Sequence, residues 1–122
     1  MSTRCDIIIT DNRHRVIKLF HRQDGYPQGV GKFLLEEVIE KRLNKCGYYT
    51  VNDVANFLVK NKEDEDYMIT VGEHPDIEYR YYINVDTKGI KCQKVRYAQV
   101  GNHFELDILR RIDLKEELNL NK

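Results

Sequence analysis

The stretch that most constrains this chain is Asp24-Gly25-Tyr26-Pro27-Gln28-Gly29-Val30-Gly31, which holds three of the seven glycines and one of the two prolines. Glycine serves where φ must be positive or where another group must approach the backbone closely, and proline fixes its own φ and restrains the residue before it. The segment therefore has an imposed shape. Tyr26 sits within it, and His21, Arg22 and Gln23 lead into it, so the shaped backbone comes with donors and an aromatic face. Two readings are open: a tight strand-to-helix connection whose glycines let a helix pack on a sheet, or a ligand contact built on Asp24, Gly25, Pro27, Gly29 and Gly31.

On either side of this segment the hydrophobic pattern assigns the elements. Cys5 to Thr10 and Arg15 to Phe20, joined by the turn residues Asp11-Asn12-Arg13-His14, read as a hairpin. Val30, Phe33, Leu34, Val38 and Ile39, with Leu35 and Leu43 beside them, recur at helical spacing, so a first helix is expected from about Val30 to Asn44, with Gly47 as its stop. Thr50 can cap a second helix up to about Lys60, with Asp53 where a capping box carries an acidic or amide side chain. Lys62-Glu63-Asp64-Glu65-Asp66 reads as a solvated loop and lacks the Gly-spaced pattern of a divalent-cation site.

Three strand candidates follow, Tyr67 to Val71, Ile77 to Asp86 and Lys88 to Tyr97, whose alternation points to an antiparallel meander. In the second, Glu78, Arg80, Tyr82 and Asn84 share one face, while Ile77, Tyr79, Tyr81, Ile83 and Val85 share the face expected to meet the helices. Phe104 to about Arg111 alternates like a strand but also suits a helical turn; a strand is preferred, followed by a short helix over Leu114 to Leu120. The expected fold is α+β: an antiparallel sheet of hairpin plus meander on two helices, with an additional C-terminal strand or helix, in one domain spanning 1–122.

Composition narrows the functions. Acidic and basic side chains balance at 20 each, so there is no basic field for DNA or RNA, and an anionic ligand has to be held locally. Cys5, Cys46 and Cys92 are odd in number and widely spaced, which argues against a disulfide framework or zinc site and for a reducing compartment. No signal-peptide core or membrane-length apolar run occurs, so a soluble cytoplasmic protein is expected.

Known phosphate loops do not fit. Gly25 and Gly31 are one residue too far apart for a Walker A loop, and Lys32 is followed by Phe33. Gly29-Val30-Gly31 lacks the third glycine of a dinucleotide fingerprint and follows a hairpin. What survives is general: free N–H groups at the start of the first helix can receive an anion. His14, His21, His74 and His103 show no metal spacing, and no cofactor is implied. An acid–base pair of His21 and Asp24 is the one catalytic candidate, against an Asp24 that binds its own turn. Arg110-Arg111, with Asn102, His103 and Phe104 upstream, offers a guanidinium for phosphate and a flat ring for a base, although alternation sends the two arginines to opposite faces.

The opening Ser2-Thr3-Arg4, the hairpin ending in His21, and Asp24-Gly25-Tyr26-Pro27 with Gly29-Val30-Gly31 before an apolar helix resemble a family of small proteins carried by phages and prophages. The size and the order of elements also resemble the Thoeris anti-defence sponge proteins of phages, which hold cyclic ADP-ribose-type signals without cleaving them. That resemblance implies a non-enzymatic homo-oligomer binding a cyclic nucleotide signal, with Arg110, Arg111, Phe104, Asn102, His103, Tyr26, His21 and Arg22 as the ligand-binding candidates. The rivals are a protein-binding inhibitor of a bacterial defence or host protein, using the tyrosine-rich sheet face and the acidic loop, and a small hydrolase built on His21 and Asp24.

Overall fold

The computed structural model describes residues 3–45, 48–60, 67–72 and 74–119. Ser2, Cys46, Gly47, the acidic run 62–66 and Leu120, each named above, lie outside the described residues. The strands are β1 (Cys5–Thr10), β2 (Val16–His21), β3 (Met68–Ile69), β4 (Tyr79–Asn84), β5 (Gly89–Val100) and β6 (His103–Ile112). Helix α1 consists of two π-helical stretches, Pro27–Gly31 and Leu34–Leu43, joined through Lys32 and Phe33 in ordinary α geometry; α2 is Val51–Val59 and α3 is Leu114–Asn119. The protein is α+β, with one six-stranded sheet in the order β3-β2-β1-β4-β5-β6.

The hairpin and the meander both form, and the segment from Phe104 is a strand ending in a short helix. The sheet, however, is mixed. β1 pairs with β4 in parallel, Cys5 opposite Tyr79 and Thr10 opposite Asn84, while every other pair is antiparallel. The helices return the chain to β3 at the edge beside β2, and the segment between β3 and β4, with His74 stacked on Phe20 and Asp76 paired with Arg4, then crosses past β2 and β1, so β4 enters beside β1 in the same direction. Tyr67 to Val71 contributes only the two-residue edge strand β3.

Alternation sets the faces. Cys5, Ile7, Ile9, Leu19, Tyr81, Ile83 and Cys92 are buried against Leu34, Leu35, Val38, Ile39 and Leu43 of α1 and Val51, Val54, Ala55 and Leu58 of α2. Burying a side chain of this size contributes about 1.5–3 kcal/mol each, which is what holds a helix as short as α2. The Thr50 cap is a reciprocal box: Asp53 N–H donates to Thr50 Oγ1 at 3.1 Å and Thr50 N–H to Asp53 Oδ2 at 2.8 Å. Ile77 departs from the expected pattern. It precedes β4 and joins Phe20 and Val95 in a second, smaller cluster, on which Tyr97 and Leu106 pack.

The glycine segment is held by its own contacts. Gly25 N–H donates to Thr3 O at 3.0 Å, and the buried Tyr81 hydroxyl donates to Gly25 O at 2.7 Å. A Cβ on Gly25 would lie 2.9 Å from the Cys5 Cβ, and one on Gly29 would lie 2.2 Å from the Asp24 carbonyl oxygen. At Gly31 it would meet Leu114 and the Tyr81 hydroxyl at 3.0 and 3.1 Å. These glycines let α1 close onto β1, β4 and α3, as the packing reading requires.

Candidate functional site

At the start of α1 the amide groups are occupied internally. Gly29 N–H bonds Tyr26 O at 3.0 Å, Val30 N–H bonds Asp24 O at 2.8 Å, and Gly31 N–H reaches Tyr26 O at 3.5 Å. An anion arriving there would have to displace these bonds. Asp24, at φ 52°, accepts from the Tyr26 hydroxyl at 3.1 Å. His21 is 1 % exposed, its Nδ1 accepts from Gln23 N–H at 3.3 Å, and its ring lies 4.3 Å from that of Tyr67. The imidazole of the expected acid–base pair is thus a core group turned away from solvent. Arg22 is exposed and Tyr26 is 38 % exposed.

The C-terminal candidates are separated by strand geometry. Asn102 and His103 lie at the exposed β5–β6 turn, where His103 Nε2 pairs with Glu105 Oε1 at 3.0 Å. Phe104 and Arg111 are seven residues apart along β6, roughly 20 Å at about 3.3 Å per residue. The register places Arg111 opposite Gln93 and Arg110 opposite Lys94, so the two arginines take opposite faces, as alternation requires. Arg110 pairs with Glu117 of α3 at 3.5 Å. Neither arginine reaches the Phe104 ring.

A third arginine, Arg80, lines a cavity together with Phe104. The sheet face away from α1 and α2 carries a transverse row, Phe20, Asp6, Arg80, Gln93 and Arg111, on neighbouring strands in register. Arg80 Nη2 donates to the Tyr97 hydroxyl at 3.1 Å and lies 3.4 Å from Asp6 Oδ2. Arg80, Tyr97, Phe104, Leu106 and Pro75 line a cavity of about 490 Å³. Phe20 stacks on His74 at 4.1 Å and backs the same face.

The electrostatics of this row are unusual. Asp6 is fully buried, and the side chain of Arg80 is 12 % exposed. Burial pushes the Asp6 carboxyl above the ordinary aspartate value, with Arg80, Lys18 and His74 pulling against it. Asp6 Oδ1, Arg80 Nε and Gln93 Oε1 are buried without a hydrogen-bond partner among the described residues. Each such orphan costs about 1–3 kcal/mol, more when charged, so the pair is held by a single long contact and is poorly compensated. The rings of Tyr97 and Phe104 line the same cavity as this guanidinium.

A second concavity, of about 980 Å³, opens between α1, the start of β5 and the β6–α3 junction. Lys88, Lys91, Arg111 and Lys115 stand around it over Leu35, Ile39, Ile90 and Ile112, and its lining contains no aromatic ring. Among the described residues no cluster of His, Cys, Asp and Glu could hold a metal ion, and no helix is long and apolar enough to cross a membrane.

Sequence reasoning named Phe104 but not Arg80, Tyr97 or Asp6. Arg80 is legible as a polar-face residue of β4; it shares a cavity lining with Phe104 because the β5–β6 ribbon runs past the end of β4. No protein-family model, curated protein or solved structure matches the chain.

Proposed function

We propose that this protein is a binding protein of the phage anti-defence type, which captures a cyclic nucleotide signal of the cyclic ADP-ribose class and holds it without cleaving it. The observation that carries the reading is the meeting of Arg80 with the rings of Tyr97 and Phe104 in one cavity. A ligand of this class presents a flat base and an anionic diphosphate, and needs an aromatic face for one and N–H donors for the other. The cavity volume of about 490 Å³ falls in the range of small-molecule sites. The larger concavity supplies cations but no ring, and therefore suits such a ligand less well.

Capture would work by exchange of partners. An anion reaching Arg80 would compete with its 3.4 Å contact to Asp6, whose carboxyl burial already pushes above the ordinary aspartate value, and loss of that partner would favour uptake of a proton there. Phe104 is 55 % exposed, so a second copy of the chain closing over the ribbon would complete the enclosure and slow release. Such a protein would act in the cytoplasm of the bacterial host and would need neither a cofactor nor a catalytic group.

The test is native mass spectrometry of the purified protein with cyclic ADP-ribose isomers and cyclic oligonucleotides, followed by heat release and chromatography. Recovery of intact ligand from a stoichiometric complex is expected, with at least about tenfold weaker capture by Phe104→Ala and by Arg80→Gln. A converted ligand would make the protein an enzyme. Absence of any bound mass would favour the protein-binding inhibitor, which is supported by the exposed apolar side chains Val100, Phe104, Ile108 and Leu109 on the same ribbon.

A further inference from the structure

The β5 strand outruns β6 at its beginning. Their register starts at Cys92 opposite Ile112, after which the chain turns at Asp113 into α3, leaving Gly89, Ile90 and Lys91 paired to β4 alone. In an antiparallel strand alternate residues point their N–H and C=O outward; Val95 N–H bonds Glu78 O on the β4 side, so within this short edge Ile90 is the residue whose N–H and C=O face outward. The edge forms one wall of the concavity of about 980 Å³, and Leu35, Ile39 and Asn44 of α1 form another. A side chain at Gly89 would meet nothing closer than Thr87 Oγ1 at 3.6 Å, so the helix-free side of the edge is sterically open there.

The charge around this edge is one-sided. Lys88, Lys91, Arg111 and Lys115 border the concavity, and none has an ion-pair partner among the described residues. The one carboxylate in the lining, Asp113, already accepts from Glu116 N–H at 3.2 Å at the start of α3. In a chain whose charges balance, this asymmetry is local. Register also sorts the two sides of the edge. Lys91 and Arg111 fall on the helix-free side, Lys91 opposite Tyr82 and Arg111 opposite Gln93, whereas Ile90 and Ile112 fall on the side of α1.

We propose that this edge receives an extended acidic peptide of a partner protein as an added strand continuing the line of β6. Backbone pairing to Gly89–Lys91 sets its direction. Alternation then places its apolar side chains over Ile90, Leu35 and Ile39 and its carboxylates toward Lys91 and Arg111. The fitting segment is four to six residues of alternating apolar and acidic character, roughly 13–20 Å long. Phosphate ligands would use the same cations but have no use for a strand edge, and the absence of a ring in the lining disfavours a nucleobase.

The probe is a fluorescein-labelled peptide alternating valine and glutamate, titrated into the intact protein by anisotropy, with a valine–lysine peptide and inorganic tripolyphosphate as comparisons. Saturable, salt-sensitive binding of the acidic peptide alone is expected. Amide exchange read by NMR should slow for the outward-facing amide of Ile90 when that peptide is present. The double variant Lys91→Glu with Arg111→Glu should lose at least about tenfold in affinity for the acidic peptide and gain binding to the basic one, with its melting temperature within a few degrees of the parent. Absence of saturable binding, binding without protection of that amide, tripolyphosphate binding as tightly as the peptide, or an indifferent double variant would each overturn the assignment.

Discussion

Replacing Gly29 with alanine tests whether the glycine segment is a packing device. Gly29 lies in the first π-helical stretch of α1 at negative φ, where alanine is intrinsically favoured by about 0.8–1 kcal/mol. Against this gain stands a Cβ 2.2 Å from the Asp24 carbonyl oxygen, more than an ångström inside ordinary contact. That oxygen cannot retreat freely, because it accepts the Val30 N–H at 2.8 Å. Overpacking of this kind costs about 1–3 kcal/mol, and the disturbed hydrogen bond adds about 0.5–1.5 kcal/mol. After the helix gain is subtracted, a loss of roughly 2 kcal/mol remains. At about 4 °C per kcal/mol for a domain of this size, the melting temperature read by far-UV circular dichroism should fall by roughly 8 °C. Gly72→Ala is the control, since its nearest neighbour would be Thr70 Oγ1 at 3.9 Å and its stability should stay within about 0.5 kcal/mol. An unchanged or raised melting temperature for Gly29→Ala would refute the argument.

The buried Asp6 gives a pH signature. Its folded pKa is raised, so the folded chain holds that proton more tightly than the unfolded chain, and its favourable contribution fades as pH rises from the ordinary aspartate range through the raised value. Asp11 works in the opposite sense: burial pushes its carboxyl up, but the N–H groups of Arg15 and Arg13 and the Arg15 guanidinium outweigh that, so its contribution is lost as pH falls. Urea unfolding of wild type and Asp6→Asn between about pH 4 and pH 7 isolates the first effect. Wild type should lose stability relative to the variant as pH rises, and parallel curves would count against a raised Asp6. Tyr81→Phe removes the donor to the buried Gly25 carbonyl and should cost about 1–2 kcal/mol in chemical denaturation; a neutral result would mean that water or another donor replaces it. Cys5 and Cys92 are buried, and burial pushes the Cys92 thiol up to about 12. Mass spectrometry after iodoacetamide treatment of native protein near pH 8 should find neither modified, while unfolded protein reacts at both; rapid native alkylation of Cys92 would contradict its placement.

Much of the fold is legible locally. Alternation finds β1 and β2, helical spacing finds Leu34, Val38 and Leu43 on the buried side of α1, and the Thr50–Asp53 pair announces the start of α2. The parallel pairing of β1 with β4 is not written in any local period, because it follows from the connection between β3 and β4, which carries the chain past β2 and β1. Ile77 escapes for a related reason: alternation extrapolated past the end of a strand assigns the wrong side. The strand candidates Arg110 and Arg111 do not meet Phe104, because alternation and the length of β6 separate them. Phe104 and a guanidinium do share a cavity, but the guanidinium is that of Arg80, a neighbour across strands and remote in sequence.

The parallel seam between β1 and β4 governs how this molecule is assembled. Each half of the sheet can begin from contacts close in sequence, a hairpin on one side and a meander on the other. Asp6 and Arg80, which face each other across the seam, are 74 positions apart. Closing a loop of that length costs on the order of 4 kcal/mol in chain entropy before any contact forms. Joining the halves is therefore the expected slow step of folding, and the row holding the Asp6–Arg80 pair comes into being only when it is complete. Until then β1 and β4 each expose an open edge, and a chain that stalls there is a substrate for aggregation or for a chaperone.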